Sequence, residues 1–465
     1  MIVGIMFLCS SSLALDHPVH STADEVTSGD RDKNVLVEDL FVLYKRALQS
    51  DPQLCAARFE YEAACEVMPQ AVAGLLPEVL GSVERIRSHQ SIVSSDNEVF
   101  ASGSTAFSTQ TEILTIKQTV FDWQAFVGVA QARVDLRRAV VAFEQARQDL
   151  IIRVCERYMT LLLADDRLAF VRAEISAVES DFALAEGRHS MGLAPVTDLL
   201  DARARLAAVR AAEIDAYNQF LDARQAMEEV CGYISNDQAG LQRTIPMIGP
   251  QPAKLELWIT AAQDQNLEIQ LQRHVVEVAR QEVNRQRAGH LPTLEAVGTY
   301  NRQDTDGTLF GGGSDVKTRD IGLRMSLPLF EGGKILSLSR QASNLYRAAL
   351  MNQEKVLRAV ERETRAAYLG VEAAISRAAA LEQSLKAQKL VVEAKQEGFS
   401  SGLHTSLAVL DAQRDLYRTR KEYAEARYDY IINSMRLRRT IGTLNENDLI
   451  MINQWLIPAD TADKD

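Results

Sequence analysis

Two very long helical stretches constrain the fold of this chain more than any other feature. Trp123–Glu186 and Lys334–Glu397 each run for 64 residues without a proline. At 1.5 Å per residue such a helix is about 95 Å long, which is too long to pack inside an ordinary globular core. A partner helix must lie along it. The second stretch carries the matching heptad seam, formed by Ala367, Val371, Ala374, Ala378, Leu381 and Leu385.

The long stretches belong to an internal sequence repeat. Five short segments recur in the same order at an offset of about 209 to 215 residues. One of these matches lays SMGLAPVTDLLDAR on SSGLHTSLAVLDAQ, with Gly192 on Gly402. Each copy predicts a helix, a pair of strands, a long helix, a glycine turn and a return helix.

Together with a short apolar run at the N-terminus, the repeat predicts four segments: a signal peptide at 1–15, a first repeat at 35–245, a second repeat at 255–449 and a C-terminal tail at 450–465. In the first repeat we expect strands at about 79–92 and 107–120 and long and return helices at 123–186 and 195–230. In the second repeat the corresponding ranges are 294–302, 317–327, 334–397 and 405–440.

A further helix is expected before the first strand pair, over Pro52–Ala73, with Asp51 as its N-cap. Its length and that of the return helix together nearly equal the length of the long helix. The sequence therefore predicts that a long helix runs beside two shorter helices stacked end to end.

Composition and local motifs exclude several classes of protein. The net charge of −12 argues against a nucleic acid partner. The five cysteines form no CxxC pair, so neither a disulfide framework nor a metal site is expected, and Cys9 fits a lipidation signal poorly. EGGK lacks the glycine and hydroxyl positions of a phosphate-binding loop, and no other catalytic motif stands out. We therefore expect a non-enzyme without metal or cofactor.

The strands favour a membrane role. In the last of them Arg319, Ile321, Leu323, Met325 and Leu327 alternate with polar residues. No run of about 20 apolar residues exists for a membrane helix, and a closed barrel is the other structure that satisfies every backbone group in lipid. Four strands are too few to enclose a channel. Three chains would supply twelve.

The junction between strand and long helix has its own signature. Pro328 ends strand pairing because it has no N–H, and Phe330, like Phe121 in the first copy, is an aromatic residue suited to a membrane boundary. Glu331 and Asp122 are expected at a helix start, where the helix dipole favours a carboxylate. An ordinary turn with a core aromatic would explain the same residues.

The repeated plan resembles the TolC family of outer-membrane efflux proteins. The stretches LPLFEGGK, SGLHTSLAVLDAQRDLYRTRKEYAEARYDYI and IGTLNENDL carry the resemblance, which covers about Val35–Leu449. It implies a mainly helical protein with membrane β-strands: a homotrimer with a twelve-stranded barrel in the outer membrane and a tunnel of helical coiled coils in the periplasm. The implied partners are outer-membrane lipid, a periplasmic adaptor protein and an inner-membrane pump or ABC transporter.

The resemblance also implies a gate near the periplasmic tip of the tunnel. Asp411 falls on an acidic ring position of the family, whereas the companion ring position falls on Ala408. Asp201 aligns with Asp411 across the repeat and is a candidate for the displaced charge. Three symmetry-related carboxylates in a narrow pore would attract cations.

Links between neighbouring coiled coils are the second part of this implied gate. Thr197 and Asp198 match linking residues of the family, and their usual tyrosine and arginine partners fall on Phe399 and His404. Phenylalanine cannot donate a hydrogen bond, and histidine pairs with a carboxylate only when protonated. A structural explanation stays open, because Asp198 and Asp201 are also favoured as acids near a helix start.

The glycine turns at the tips are the implied docking points for the adaptor: Gly192, Leu193, Gly402 and Leu403. Glycine has a sufficient structural reason at both places, since it ends a helix. The alternative function is a structural coiled-coil or adhesin-like surface protein, which would explain the long helices but not the two strand pairs. Exported cargo and pump class stay open.

Overall fold

The computed structural model describes residues 38–94, 103–235, 237–308 and 312–457 of the 465-residue chain. The expected signal peptide, Cys9 and the end of the expected C-terminal tail lie outside the described residues. The described part is mainly helical. Within it, no helix combines the length and the apolar character needed to cross a membrane.

The described elements follow one order twice. The first half contains α1 (Leu40–Ser50), α2 (Pro52–Cys65), α3 (Val67–Ala73), β1 (Glu78–Ile92), β2 (Gly103–Phe121), α4 (Trp123–Ser190) and α5 (Val196–Cys231). After β3 (Gly240–Leu241), the second half contains α6 (Leu255–Gln265), α7 (Leu267–Ala288), β4 (Thr293–Thr305), β5 (Ser314–Ser326), α8 (Lys334–Ser400) and α9 (Ser406–Thr440). The chain then forms α10 (Glu446–Asn453) and β6 (Leu456–Ile457).

The helix expected over Pro52–Ala73 is two helices, and that prediction was wrong. Pro69 explains the break after Cys65, because proline removes the N–H that would bond to this carbonyl, and its ring clashes with it. The start of α2 is as expected. The Asp51 carboxylate caps it by accepting a hydrogen bond from the Leu54 N–H at 2.7 Å, and it also forms an ion pair with Arg153 at 2.6 Å.

Each long helix packs against two groups of shorter helices, as the segment lengths predict. α4 contacts α2 and α3 at one end and α5 at the other, while α8 contacts α6 and α7 and then α9. The pairs α4–α5 and α8–α9 form two helical hairpins, here called the first and second hairpin. Of the six seam residues expected along α8, four are buried and Leu381 and Leu385 are half-buried.

The main hydrophobic core lies where the helices meet the ends of the chain. Leu43 of α1, Tyr158 of α4 and Ile431 of α9 are buried there together with Leu449 of α10. The Tyr158 hydroxyl donates a hydrogen bond to the Ala239 carbonyl at 2.7 Å. Within residues 450–465, expected as a tail, β6 pairs with β3 and α10 packs on α1, so this part is integrated into the core region.

The four long strands form one antiparallel sheet in the order β1-β2-β4-β5. Val79, Ile116, Gly298 and Ile321 stand side by side in its register, so they and their alternate neighbours share one face. The register shifts once between β2 and β4, near Phe121. Strands β1 and β5 are the edges: each pairs on one side, with β2 and β4, and its other side has no partner strand among the described residues.

Candidate functional site

The two hairpins end in turns with the same backbone geometry. Gly192 and Gly402 have φ angles of 71° and 79°, which side chains with a Cβ rarely adopt. Leu193 N–H donates to the Arg188 carbonyl at 2.8 Å, and Leu403 N–H donates to the Gly398 carbonyl at 2.7 Å. Together with the glycine N–H bonds, these close a Schellman motif at the end of each long helix.

Both turns present apolar side chains to solvent. Leu193 is 72% exposed and Leu403 is 81% exposed, and Met191 beside them is also exposed. In a Schellman motif the residue after the glycine commonly packs back on its own helix. Here it does not, so the hairpin tips carry an apolar surface that their own fold leaves uncovered.

A cleft of about 260 Å³ separates the two hairpins just above these turns. Asp198 and Arg188 line it from the first hairpin, and Phe399 and Val409 line it from the second. The Arg188 guanidinium lies 4.6 Å from the centre of the Phe399 ring. This cation–π contact joins α4 to α8 at the tip.

The structure brings only part of the predicted gate together. Asp198 and Phe399 line the same cleft, whereas Thr197, Asp201 and His404 are exposed. Among the described residues, His404 forms no side-chain hydrogen bond or ion pair that would link the hairpins.

The Asp411 carboxylate does not stand alone. It lies 3.2 Å from the Arg414 guanidinium one helical turn further along α9. Both side chains are about half exposed, so solvent screens the pair.

Sequence reasoning missed Arg188, because a cation in the last turn of a helix already has a local explanation in the dipole. It also missed a polar contact between α4 and α9. Burial raises the pKa of Asp181, while a hydrogen bond from Gln413 opposes that shift. Gln413 is only 6% exposed, and its Oε1 and Asp181 Oδ2 are buried without hydrogen-bond partners.

The strand–helix junctions differ between the halves. Asp122 caps α4, accepting hydrogen bonds from the N–H groups of Gln124 and Ala125 at 2.8 and 3.3 Å. The expectation that Glu331 sits at the start of α8 was wrong. Gly332 and Gly333 follow it with φ of 60° and 83° and add a turn, so α8 begins at Lys334.

Apolar side chains cluster in the open around these junctions. Phe330 is 86% exposed, and Phe121 is more than one-third exposed. Trp123 and Phe126 pack edge to face with ring centroids 6.4 Å apart. Pro328 is half-buried between β5 and this turn. The junction is therefore a band of aromatic and aliphatic groups next to the apolar face of the sheet.

The family model for "Outer membrane efflux protein" matches residues 43–233 and 258–443. The chain belongs to the outer membrane efflux protein family. It is accordingly an outer-membrane channel protein.

Relatives of known name are similar over nearly their whole length. The outer membrane protein TolC of Vibrio cholerae is 31% identical over 424 residues, which cover 91% of this chain and 94% of the relative. The alkaline protease secretion protein AprF of Pseudomonas aeruginosa is 29% identical over 438 residues, covering 92% and 90%.

Solved structures of efflux channels share the fold. The outer membrane channel CmeC of Campylobacter jejuni superposes with a TM-score of 0.78 at 16% identity, covering 95% of this chain and 98% of that one. The open state of the MtrE channel of Neisseria gonorrhoeae gives 0.69 at 17% identity, covering 88% and 90%. The arrangement of hairpins and sheet in this efflux protein is thus the arrangement of those channels.

Proposed function

We propose that three copies of this chain form an exit duct through the outer membrane, which receives cargo from a periplasmic adaptor and an inner-membrane pump. The observation that carries the proposal is the sheet with one exposed apolar face and two unpaired edges. Each repeat, 35–245 and 255–449, contributes one strand pair and one hairpin. The trimer would then have six similar units around its axis.

The apolar face supports burial in lipid. Ile321 is 95% exposed and Leu323 is 73% exposed, and Val83 on β1 is exposed as well. Thr115, Thr299 and Asp320 pair across the neighbouring strands on the opposite face of the sheet. A sheet with one apolar and one polar face fits a barrel wall between lipid and a water-filled pore.

The unpaired edges support trimer formation. An exposed edge strand offers a row of free N–H and C=O groups, which in hydrocarbon cost several kcal/mol each, on the order of the loss of a hydrogen bond. Pairing β5 of one copy with β1 of the next satisfies both edges. Three copies close a barrel of twelve strands, an even number as in bacterial barrels of one chain.

The hairpins supply the periplasmic tunnel and its gate. We assign the restriction to Asp198, Asp201 and Asp411 near the tips, with Arg188 and Phe399 holding the two hairpins together in the closed form. The exposed turns with Leu193 and Leu403 are the surface for the adaptor. We assign no catalytic step to the chain, and the cargo is whatever the pump delivers, small molecule or protein.

Cysteine cross-linking tests the barrel. Val79 and Met325 each lie one position from the helix-side end of an edge strand, on the apolar face. Val79→Cys with Met325→Cys should give covalent trimers on oxidation. Val79→Cys with Ala296→Cys, whose second site is on the internal strand β4, is the matched control and should give none.

Planar-bilayer recording then tests the duct itself. The purified trimer should give a small, stable, cation-selective conductance. A monomer without edge cross-links would refute the proposal and would favour a structural coiled-coil protein.

A further inference from the structure

The lipid-facing side of the sheet changes character sharply along the strands. One row across this face consists of Val79, Ile116, Gly298 and Ile321. Every residue of the face from that row to the helix-side end of the sheet is uncharged. The first charge beyond that row is Arg319. An apolar zone next to the helices is therefore followed by a charged zone toward the far end.

Four cations of this charged zone lie on the two edge strands, and we call them the basic belt: Arg85, Arg87, Lys317 and Arg319. Arg85 and Arg319 each lie seven positions from the helix-side ends of their strands, Glu78 and Ser326, and Arg87 and Lys317 each lie nine. Nine positions in a strand tilted by about 45° span roughly 20 Å of membrane depth. The belt thus comes near the far limit of an apolar band about 25 Å tall.

The belt cations differ from the other arginine of this face in their partners. Arg302 on β4 forms an ion pair with Asp315 at 3.0 Å. Among the described residues, the four belt cations form no ion pair, and Arg319 instead lies 5.8 Å from the centre of the Tyr300 ring. Their positive charge is therefore available to a ligand.

On the opposite face of the same sheet, acidic residues outnumber basic residues. The charged residues of that face are Glu78, Glu84, Lys117, Glu295, Asp320 and Arg324, four acids against two bases. On the lipid-facing side the five bases Arg85, Arg87, Arg302, Lys317 and Arg319 outnumber the three acids Glu112, Asp304 and Asp315. Positive charge thus predominates on this side, and four of its five cations lie on the two edge strands.

We infer that the basic belt binds the phosphate groups of a glycolipid in the outer leaflet, one binding site at each subunit boundary. The inference rests on the proposed trimer, because pairing of β5 with the next β1 brings the two halves of the belt together. Four like charges at one boundary repel each other. A headgroup with two phosphates offsets that repulsion and offers arginine the acceptor geometry that it pairs with best.

Native mass spectrometry of the purified trimer tests the inference, with lipid A carrying two phosphates and the same lipid without phosphates as probes. The trimer should retain up to three phosphorylated molecules and should release the dephosphorylated lipid. R87Q with K317Q should lower retention at least about tenfold, since each basic residue near an anionic membrane surface contributes about 1 kcal/mol. K117Q with R324Q removes two cations from the opposite face and should change nothing.

Equal retention of the two lipids, or unchanged retention by the belt variant, would overturn the inference. Heat-resistant trimers on gels show that each variant assembles. If the belt variant does not assemble, the salt dependence of lipid retention by the parent protein decides, because phosphate binding must weaken as NaCl rises. A conducting trimer without phosphate preference refutes the belt alone, whereas a failure of the parent chain to form trimers refutes the proposed duct as well.

Discussion

The contact between Arg188 and Phe399 gives the sharpest test of how the tunnel opens. This cation–π contact joins α4 to α8 at the tip, and in the proposed gate the two hairpins separate there when the channel opens. Arg188→Gln keeps a polar side chain of similar reach but removes the cation. We therefore expect this variant to open more often than the parent channel.

The size of the effect follows from the number of copies. A cation–π contact of this kind contributes about 0.5 to 1 kcal/mol. In the proposed trimer three copies lose it together, so the closed form loses about 1.5 to 3 kcal/mol. This corresponds to roughly a 10- to 150-fold larger ratio of open to closed channels. Phe399→Tyr should act in the opposite direction, since a hydroxyl in the shared cleft gains Asp198 as an acceptor.

Single-channel open probability in planar bilayers measures both changes. Arg210→Gln is the matched control, because Arg210 pairs with Glu179 at 2.8 Å inside the first hairpin and joins nothing across the cleft. An open probability of Arg188→Gln equal to that of Arg210→Gln would show that the contact does not hold the tip closed.

Three further changes test other parts of the molecule. Asp51→Ala removes a helix cap and the carboxylate partner of Arg153, so it should destabilise the protein by about 2 to 3 kcal/mol, seen as a lower thermal unfolding temperature. Burial raises the pKa of Asp181 above 3.8, so the ionised carboxylate destabilises the folded state once the pH exceeds this raised pKa. Asp181→Asn should therefore stabilise the protein at pH 7. The advantage should disappear below about pH 4, where the aspartate is protonated in both the folded and the unfolded state. Asp411→Asn should lower cation selectivity only about twofold, because Arg414 already offsets the carboxylate, and reversal potentials in a salt gradient measure it.

Each of these predictions has a result that would contradict it. An unfolding temperature unchanged by Asp51→Ala would mean that the cap and ion pair contribute nothing net. A stability gain of Asp181→Asn that persists at pH 3 would point to packing and not to charge. Selectivity unaffected by Asp411→Asn would remove this residue from the restriction.

The long helices and strand faces were predictable because their signals are periodic and extend over many residues. α4 ends at Ser190 and α8 at Ser400, a few residues past the expected ends. Signals that depend on a single residue were weaker. The effect of Pro69 was overlooked inside an otherwise helical pattern, and the two glycines after Glu331 leave that residue outside α8, which begins at the expected Lys334.

The contacts at the tip were harder to predict than the elements that carry them. Arg188 and Phe399 are more than 200 residues apart in sequence, and Asp181 and Gln413 lie on helices of different hairpins. Spacing along one helix predicts which residues share its face, but not which residue of another helix lies opposite. Such pairs follow only from the packing of complete hairpins.

The open edges of the sheet have a consequence for biogenesis. In the proposed assembly a newly made chain carries an apolar face and two unpaired strand edges through water before it meets its copies, and such surfaces promote aggregation. Closing the barrel removes both hazards at once, so folding of the sheet, assembly and membrane insertion should be a single concentration-dependent event. The helical hairpins bury their own seams and can form first. In the proposed trimer the sheet is completed only in the membrane and with two more chains.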